Sequence, residues 1–177
     1  MKRAVRWVLS LVLMLVLVFA GGAYVLPDTA VVQRQIAIAA PPEKVFAILG
    51  DLKRFNEFSP WVEKDPAMTV RFEGPETGPG QKMSWESKVA DVGVGSMTVT
   101  ERVDNRRIAM DLQFGEMAMS RASFELAPAG TGSTVTWGLK AVLSNPMERW
   151  FGLIFDRMIG PDFEKGLAKL KAVAEKP

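Results

Sequence analysis

Hydrophobic positions fall into three regimes along the chain. From Trp7 to Leu26 twenty residues pass without a charge. As a helix rising about 1.5 Å per residue, this run just spans a hydrocarbon layer of roughly 30 Å. From Val31 the pattern changes to alternation. "VVQRQIAIAA" sets Val32, Ile36 and Ile38 on one face of a strand. "PPEKVFAILGD" predicts a helix opened by proline, where a missing N–H matters least, and closed near Gly50. A second short helix is expected over Leu52 to Phe58. Period two then returns in series: Met68, Val70 and Phe72; Met83 and Trp85; Met97, Val99 and Val103; Ile108, Met110, Leu112 and Phe114; Ala118, Ala122, Phe124 and Leu126; Val135, Trp137, Leu139 and Ala141. "GPETGPG" and "PAGTGS" supply turns between them. The third regime has helical spacing. Asn145-Pro146-Met147-Glu148 is a start signal, with Asn at the N-cap, Pro at N1 and Glu at N3. Met147, Phe151, Ile154, Phe155 and Met158 follow, Gly160-Pro161 is expected to kink or interrupt the helix, and Phe163, Leu167 and Leu170 resume the stripe.

The predicted order is one strand, two short helices, about six strands and a long helix, an α+β arrangement. Strands joined by short connections pair antiparallel. A sheet with one apolar face must have that face covered, and the C-terminal helix is the element large enough to cover it. The chain divides into residues 1–30, an N-terminal transmembrane anchor or signal segment, and residues 31–177, a single domain.

Charge sharpens the reading of the first segment. Lys2, Arg3 and Arg6 precede the apolar run, and Trp7 and Tyr24 flank it at interfacial positions. The basic residues should stay cytoplasmic, which sends the rest of the chain across the inner membrane to its extracytoplasmic side. A cleaved signal peptide, with Ala20-Gly21-Gly22-Ala23 as the small-residue site, would instead leave a secreted or periplasmic domain. The net charge of +2 belongs to residues 1–30; beyond them acidic and basic residues balance, which argues against a nucleic-acid partner.

Catalytic equipment is sparse. The 177 residues contain no cysteine and no histidine. Disulfides, thiolate chemistry, the usual triads and the usual zinc sites are therefore excluded, and no cofactor or metal is expected. The single tyrosine is Tyr24, no serine sits in a GxSxG motif, and "GPETGPG" lacks the Lys-Ser/Thr of a phosphate-binding loop.

"IAAPPEKVFAILGDLKRFNEFSPW", "FEGPETGPGQKMSWE", "GSMTVTE" and "IGPDFEKGLAKLK" occur in the order of the START/Bet v 1-like (SRPBCC) superfamily. Within it the chain resembles the polyketide cyclase/dehydrase-like branch, over about residues 31–175. The resemblance implies a helix-grip fold: a curved antiparallel sheet of six to seven strands around a long C-terminal helix, with a hydrophobic cavity between. Members bind lipids, sterols, polyketides and other apolar molecules; some are cyclases, some transfer proteins, and some relatives stimulate a chaperone ATPase.

On that architecture, strand parity turns Val70, Phe72, Met83, Trp85, Met97, Val99, Ile108, Met110, Leu112, Phe124, Val135 and Trp137 inward, facing Phe151, Ile154, Phe155 and Met158 of the helix. Ten methionines and five tryptophans suit an adaptable apolar lining; an ordinary filled core is the alternative. Glu101 shares parity with Met97 and Val99. It is either a carboxylate on the cavity wall, the one candidate acid/base, or is turned to water by a bulge or strand end. Phe55, Phe58 and Trp61, in "FNEFSPW", are a rim over the cavity or a plug of the core. Three readings follow: a membrane-tethered module that binds or transfers a hydrophobic small molecule or lipid, a cyclase/dehydrase-like enzyme using Glu101, or a protein-interaction module.

Overall fold

The computed structural model describes residues 2–115, 117 and 119–176. Helix α1 (Lys2–Val25) precedes strand β1 (Thr29–Ile38), helix α2 (Pro42–Leu49), a 3-10 helix over Leu52–Glu57 and the single turn α3 (Trp61–Lys64). Strands β2 (Thr69–Glu73), β3 (Lys82–Glu86), β4 (Val94–Val103), β5 (Arg107–Phe114), β6 (Ser120–Ala129) and β7 (Gly132–Val142) follow, and α4 (Pro146–Ala174) ends the chain. The seven strands form one sheet in the order β1-β7-β6-β5-β4-β3-β2, every neighbour antiparallel. Short connections return each of β2 to β7 beside its predecessor, whereas β1 closes on β7 from the other end of the domain. Ala118, expected on the inward face, lies outside the described residues.

Antiparallel pairing gives the sheet two distinct ends. Thr29, Val142, Ser120, Phe114 and Val94 meet at one end; Ile38, Gly132, Ala129, Arg107 and Val103 meet at the other. The second end carries polar turns, including "GPETGPG" and Asp104-Asn105-Arg106.

Helix α4 covers the sheet. Its capping box is formed: the Asn145 side chain accepts from the Glu148 N–H at 3.0 Å, and Glu148 reaches back to the Asn145 N–H. Pro161 lies inside the helix, and of the kink or interruption expected there the interruption does not occur. Proline removes one backbone donor, but β1 clamps the helix around that point. The Arg34 guanidinium bonds both oxygens of Asp156, at 2.8 and 3.0 Å, and Glu164 at 2.7 Å. A Cβ at Gly160 would lie 2.0 Å from that guanidinium, so the bare glycine lets the arginine cross the helix. Glu63 of α3 receives Lys165 and Lys169, and Lys64 bonds Asp162 at 2.6 Å.

These pairs contribute to the response to acid, each modestly because the carboxylates are largely exposed. Arg34 holds the Asp156 carboxyl below its usual range, and Lys165 and Lys169 lower Glu63 to about 2. The Ala39 N–H and then Lys171 lower Glu175. A carboxylate depressed in the folded state contributes fully above its unfolded pKa of about 4 and loses that contribution as pH falls through the lower folded value. The chain has no histidine to titrate near neutrality. Thermal melts followed by circular dichroism should therefore be level from about pH 8 to 5 and decline from roughly pH 4 to 2. A decline confined to the neutral range would contradict this assignment.

Candidate functional site

Between sheet and helix lies a cavity of about 530 Å³, within the range of roughly 300–1,000 Å³ usual for small-molecule sites. The strands contribute Met83, Trp85, Met97, Met110, Leu112, Phe114, Trp137 and Leu139 to its wall, and α4 contributes Phe151, Phe155, Met158 and Phe163. Parity explains this selection: Met83 faces Met97, Met97 faces Leu112, and side chains opposite one another across a ladder share a face.

One wall is an aromatic block centred on Trp137. Phe163 of α4 stacks on the indole at 4.1 Å between ring centres and 14° between planes. Phe124 lies 4.9 Å away, and Trp61 meets the indole edge-on at 5.9 Å. The stretch "FNEFSPW" feeds this block through its 3-10 helix, whose side chains eclipse every three residues. Leu52, Phe55 and Phe58 therefore point the same way, and all are buried, the last two to 5% and 1% exposure. Phe58 is the plug: it packs against Phe124 and Trp137 and does not reach the cavity. Phe55 and the half-buried Trp61, stacked 6.5 Å apart, line it. At the opposite wall Trp85 donates its indole N–H to the Val92 carbonyl at 3.1 Å. Its ring packs against Gly95, where a Cβ would come within 2.3 Å of it.

Of the residues expected at the cavity, Phe55, Trp61, Trp85, Met97, Met110, Leu112, Trp137, Phe151, Phe155 and Met158 line it. Val99 and Phe124 face inward but are consumed by packing in the core. Phe72 shares a face with its partner Met83, yet β2 is the edge strand beyond the cover of α4, and Phe72 is 39% exposed.

Glu101 must be corrected. The β4–β5 register shifts between Val99 and Glu101, and a bulge at Thr100 flips the parity beyond it. Glu101 turns to solvent and pairs with Arg107 at 3.2 Å. Arg102 takes the inward direction instead, its guanidinium 4.9 Å from the centre of the Phe46 ring.

Alternation could not reveal the polar members of the lining. Ser59 and Ser120 contribute to it, as do Asp91, Lys64 and Asp162. Asn56, between Phe55 and Phe58, also lines the cavity, and its Oδ1 is buried without a hydrogen-bond partner. Such an orphan destabilises by about 1–3 kcal/mol unless something satisfies it. No cluster of metal-ligating side chains occurs among the described residues.

Comparison with known proteins agrees with this geometry. The family described as polyketide cyclase/dehydrase and lipid transport matches residues 29–175. No curated protein matches the chain. Among solved structures, a protein from Thermobifida fusca is 22% identical with a TM-score of 0.60, covering 81% of this chain and 92% of its own. BexL, a di-domain ARO/CYC protein of the BE-7585A biosynthetic pathway, is 17% identical with a TM-score of 0.61, covering 85% of this chain and 51% of its own. Ara h 8.0201 is 12% identical with a TM-score of 0.57, over 82% and 97%. At these identities the likeness is one of fold.

The wall and the bulge predict opposite mutational outcomes. Phe58→Ala should cost about 3–5 kcal/mol in denaturant unfolding, as truncation of a buried aromatic does. Glu101→Gln should stay within about 0.5 kcal/mol of the parent and leave the fold intact. A large loss for Glu101→Gln would restore the carboxylate to the interior.

Proposed function

Because the chain belongs to the polyketide cyclase/dehydrase and lipid transport family, we propose that it is a membrane-tethered module that binds or transfers a hydrophobic small molecule or lipid. Helix α1 is its anchor, with Lys2, Arg3 and Arg6 on the cytoplasmic side and the 31–177 domain on the extracytoplasmic side. The cavity carries the reading: a largely apolar space of about 530 Å³ with one orphaned amide oxygen at its wall. A site that is mostly hydrocarbon with few placed polar groups is suited to an amphiphile with one polar end. Helix α1 supports the anchor, being without charge from Trp7 to Val25 and almost wholly exposed.

Binding is favoured over turnover by what the carboxylates do. Glu101 faces solvent. Asp162, the less exposed of the two carboxylates in the lining, is held by Lys64 at 2.6 Å and is committed to joining α3 to α4.

Full-length protein purified in mild detergent should carry a co-purifying lipid by native mass spectrometry and take up a fluorescent fatty acid. Met110→Trp, which fills the cavity from β5, should abolish uptake while circular dichroism is retained. Undiminished uptake in a folded Met110→Trp protein would overturn the assignment. Asn56→Leu separates the polar handle from the apolar wall: removing the orphan should stabilise ligand-free protein by about 1 kcal/mol or more. The same change should weaken a hydroxyl- or carboxyl-bearing ligand more than a plain hydrocarbon.

A further inference from the structure

Apart from Phe72 and Val103, the exposed apolar side chains of the domain gather toward one end. On α4, Met147, Phe151, Ile154 and Met158 recur at spacings of four, three and four and form a solvent-facing stripe, with Met147 68% exposed. The β5–β6 connection adds Met117 and Met119, the latter 52% exposed. These elements lie at the sheet end where Phe114, Ser120 and Val142 meet, away from the polar turns. The stripe is continuous with the cavity: Phe151 and Met158 belong to both, and so does Met117. On the α4 and β5–β6 sides the mouth is thus rimmed by side chains that water solvates poorly, while the exposed Asp91 is a charged member of the lining.

Helix α1 arrives at this same end through a built joint. The Trp150 ring stacks on Phe19 at 5.8 Å and 15°, and its N–H donates to the Phe19 carbonyl at 3.0 Å. Arg149 donates to the carbonyls of Ala23 and Leu26, at 3.1 and 3.5 Å, where a helix end leaves acceptors unpaired and its dipole favours a cation. Phe19 lies six residues before the last residue of α1, roughly 9 Å back along the axis. If α1 spans, Trp150 and the first turns of α4 sit at or below the plane where it leaves the hydrocarbon. That is the depth at which Met147 and Ile154 would be buried rather than wet.

We propose that this end of the domain is seated in the leaflet from which α1 emerges, and that the cavity opens into that leaflet and loads sideways from it. This rests on the reading of α1 as a membrane anchor and of the cavity as a ligand site. It narrows the ligand to an acyl-chain amphiphile already resident in the bilayer. A patch that meets the membrane beside its own anchor needs no protein partner to cover it, because tethering supplies the effective concentration.

The absence of cysteine makes the test clean. Single cysteines replacing Met147, Ile154, Met119 and, as a control at the polar end, Asp104 are labelled with an environment-sensitive fluorophore. The full chain is reconstituted in phosphatidylcholine–phosphatidylglycerol vesicles. Labels at the first three positions should brighten and be quenched by nitroxide lipids, and the Asp104 label should respond only to aqueous iodide. Three labels that behave like Asp104, or that escape both quenchers because a second protein covers them, would overturn the seating. A Met147→Glu/Ile154→Glu double variant places two carboxylates in the interface. It should slow uptake of a fluorescent fatty acid from vesicles by about tenfold or more, while uptake from detergent stays unchanged. Uptake from detergent without lipid quenching would leave the cavity assignment standing and refute the seating. Lipid quenching with no uptake from either source would refute the cavity assignment and, with it, sideways loading.

Discussion

The stacking of Phe163 on Trp137 decides where this molecule is solid and where it is hollow. It fixes α4 against β7 at 4.1 Å between ring centres. Phe124, Phe55, Phe58 and Trp61 complete the block around the indole. From there to the C-terminus the helix is a core element, burying Phe163, Leu167, Leu170 and Ala174. Toward its N-terminus Met147, Ile154 and Met158 are exposed, and Phe151 and Met158 border open space. One aromatic contact near the middle of a rigid rod thus separates a packed half from a cavity.

The charged groups serve that arrangement. Arg34 reaches across α4 to Asp156 and Glu164, while Glu63 and Lys64 of α3 hold Lys165, Lys169 and Asp162. These pairs are largely exposed, and such pairs add little stability singly. Their value is positional: they approach α4 from two sides around Pro161, where the backbone is weakest. The buried Gln81 does similar work at the polar end, accepting from the Leu52 N–H at 3.1 Å and donating to Asp51 at 2.8 Å. The 3-10 helix that carries Phe55 and ends at Phe58 is thereby anchored to the residue preceding β3.

Much of the fold was legible because its periods are strict. The capping box of α4 could be read from Asn145 and Glu148, and the strands from their alternation. The cavity wall was legible as far as parity holds. At Glu101 parity left two directions open, and one inserted residue, Thr100, decides for solvent by reversing the faces beyond it; nothing in "GSMTVTERV" locates the bulge, since valine and threonine suit either register. Parity failed to separate Phe58, Val99 and Phe124 from true lining residues. Parity reports which face a side chain takes and is silent on whether another side chain already occupies the space in front of it.

By itself, then, the sequence determined an apolar N-terminal helix, the antiparallel sheet, its covering helix, and an interior without histidine or cysteine chemistry. These follow from local periodicity and composition, which need no knowledge of distant contacts. Tertiary structure alone decided which side chains line the cavity and how large it is, that Asn56 carries an unpaired oxygen at its wall, and that Trp150 joins the mouth end to Phe19 of α1. Each of those depends on residues far apart in the chain meeting in space, and no pattern of neighbours along the chain encodes such a meeting.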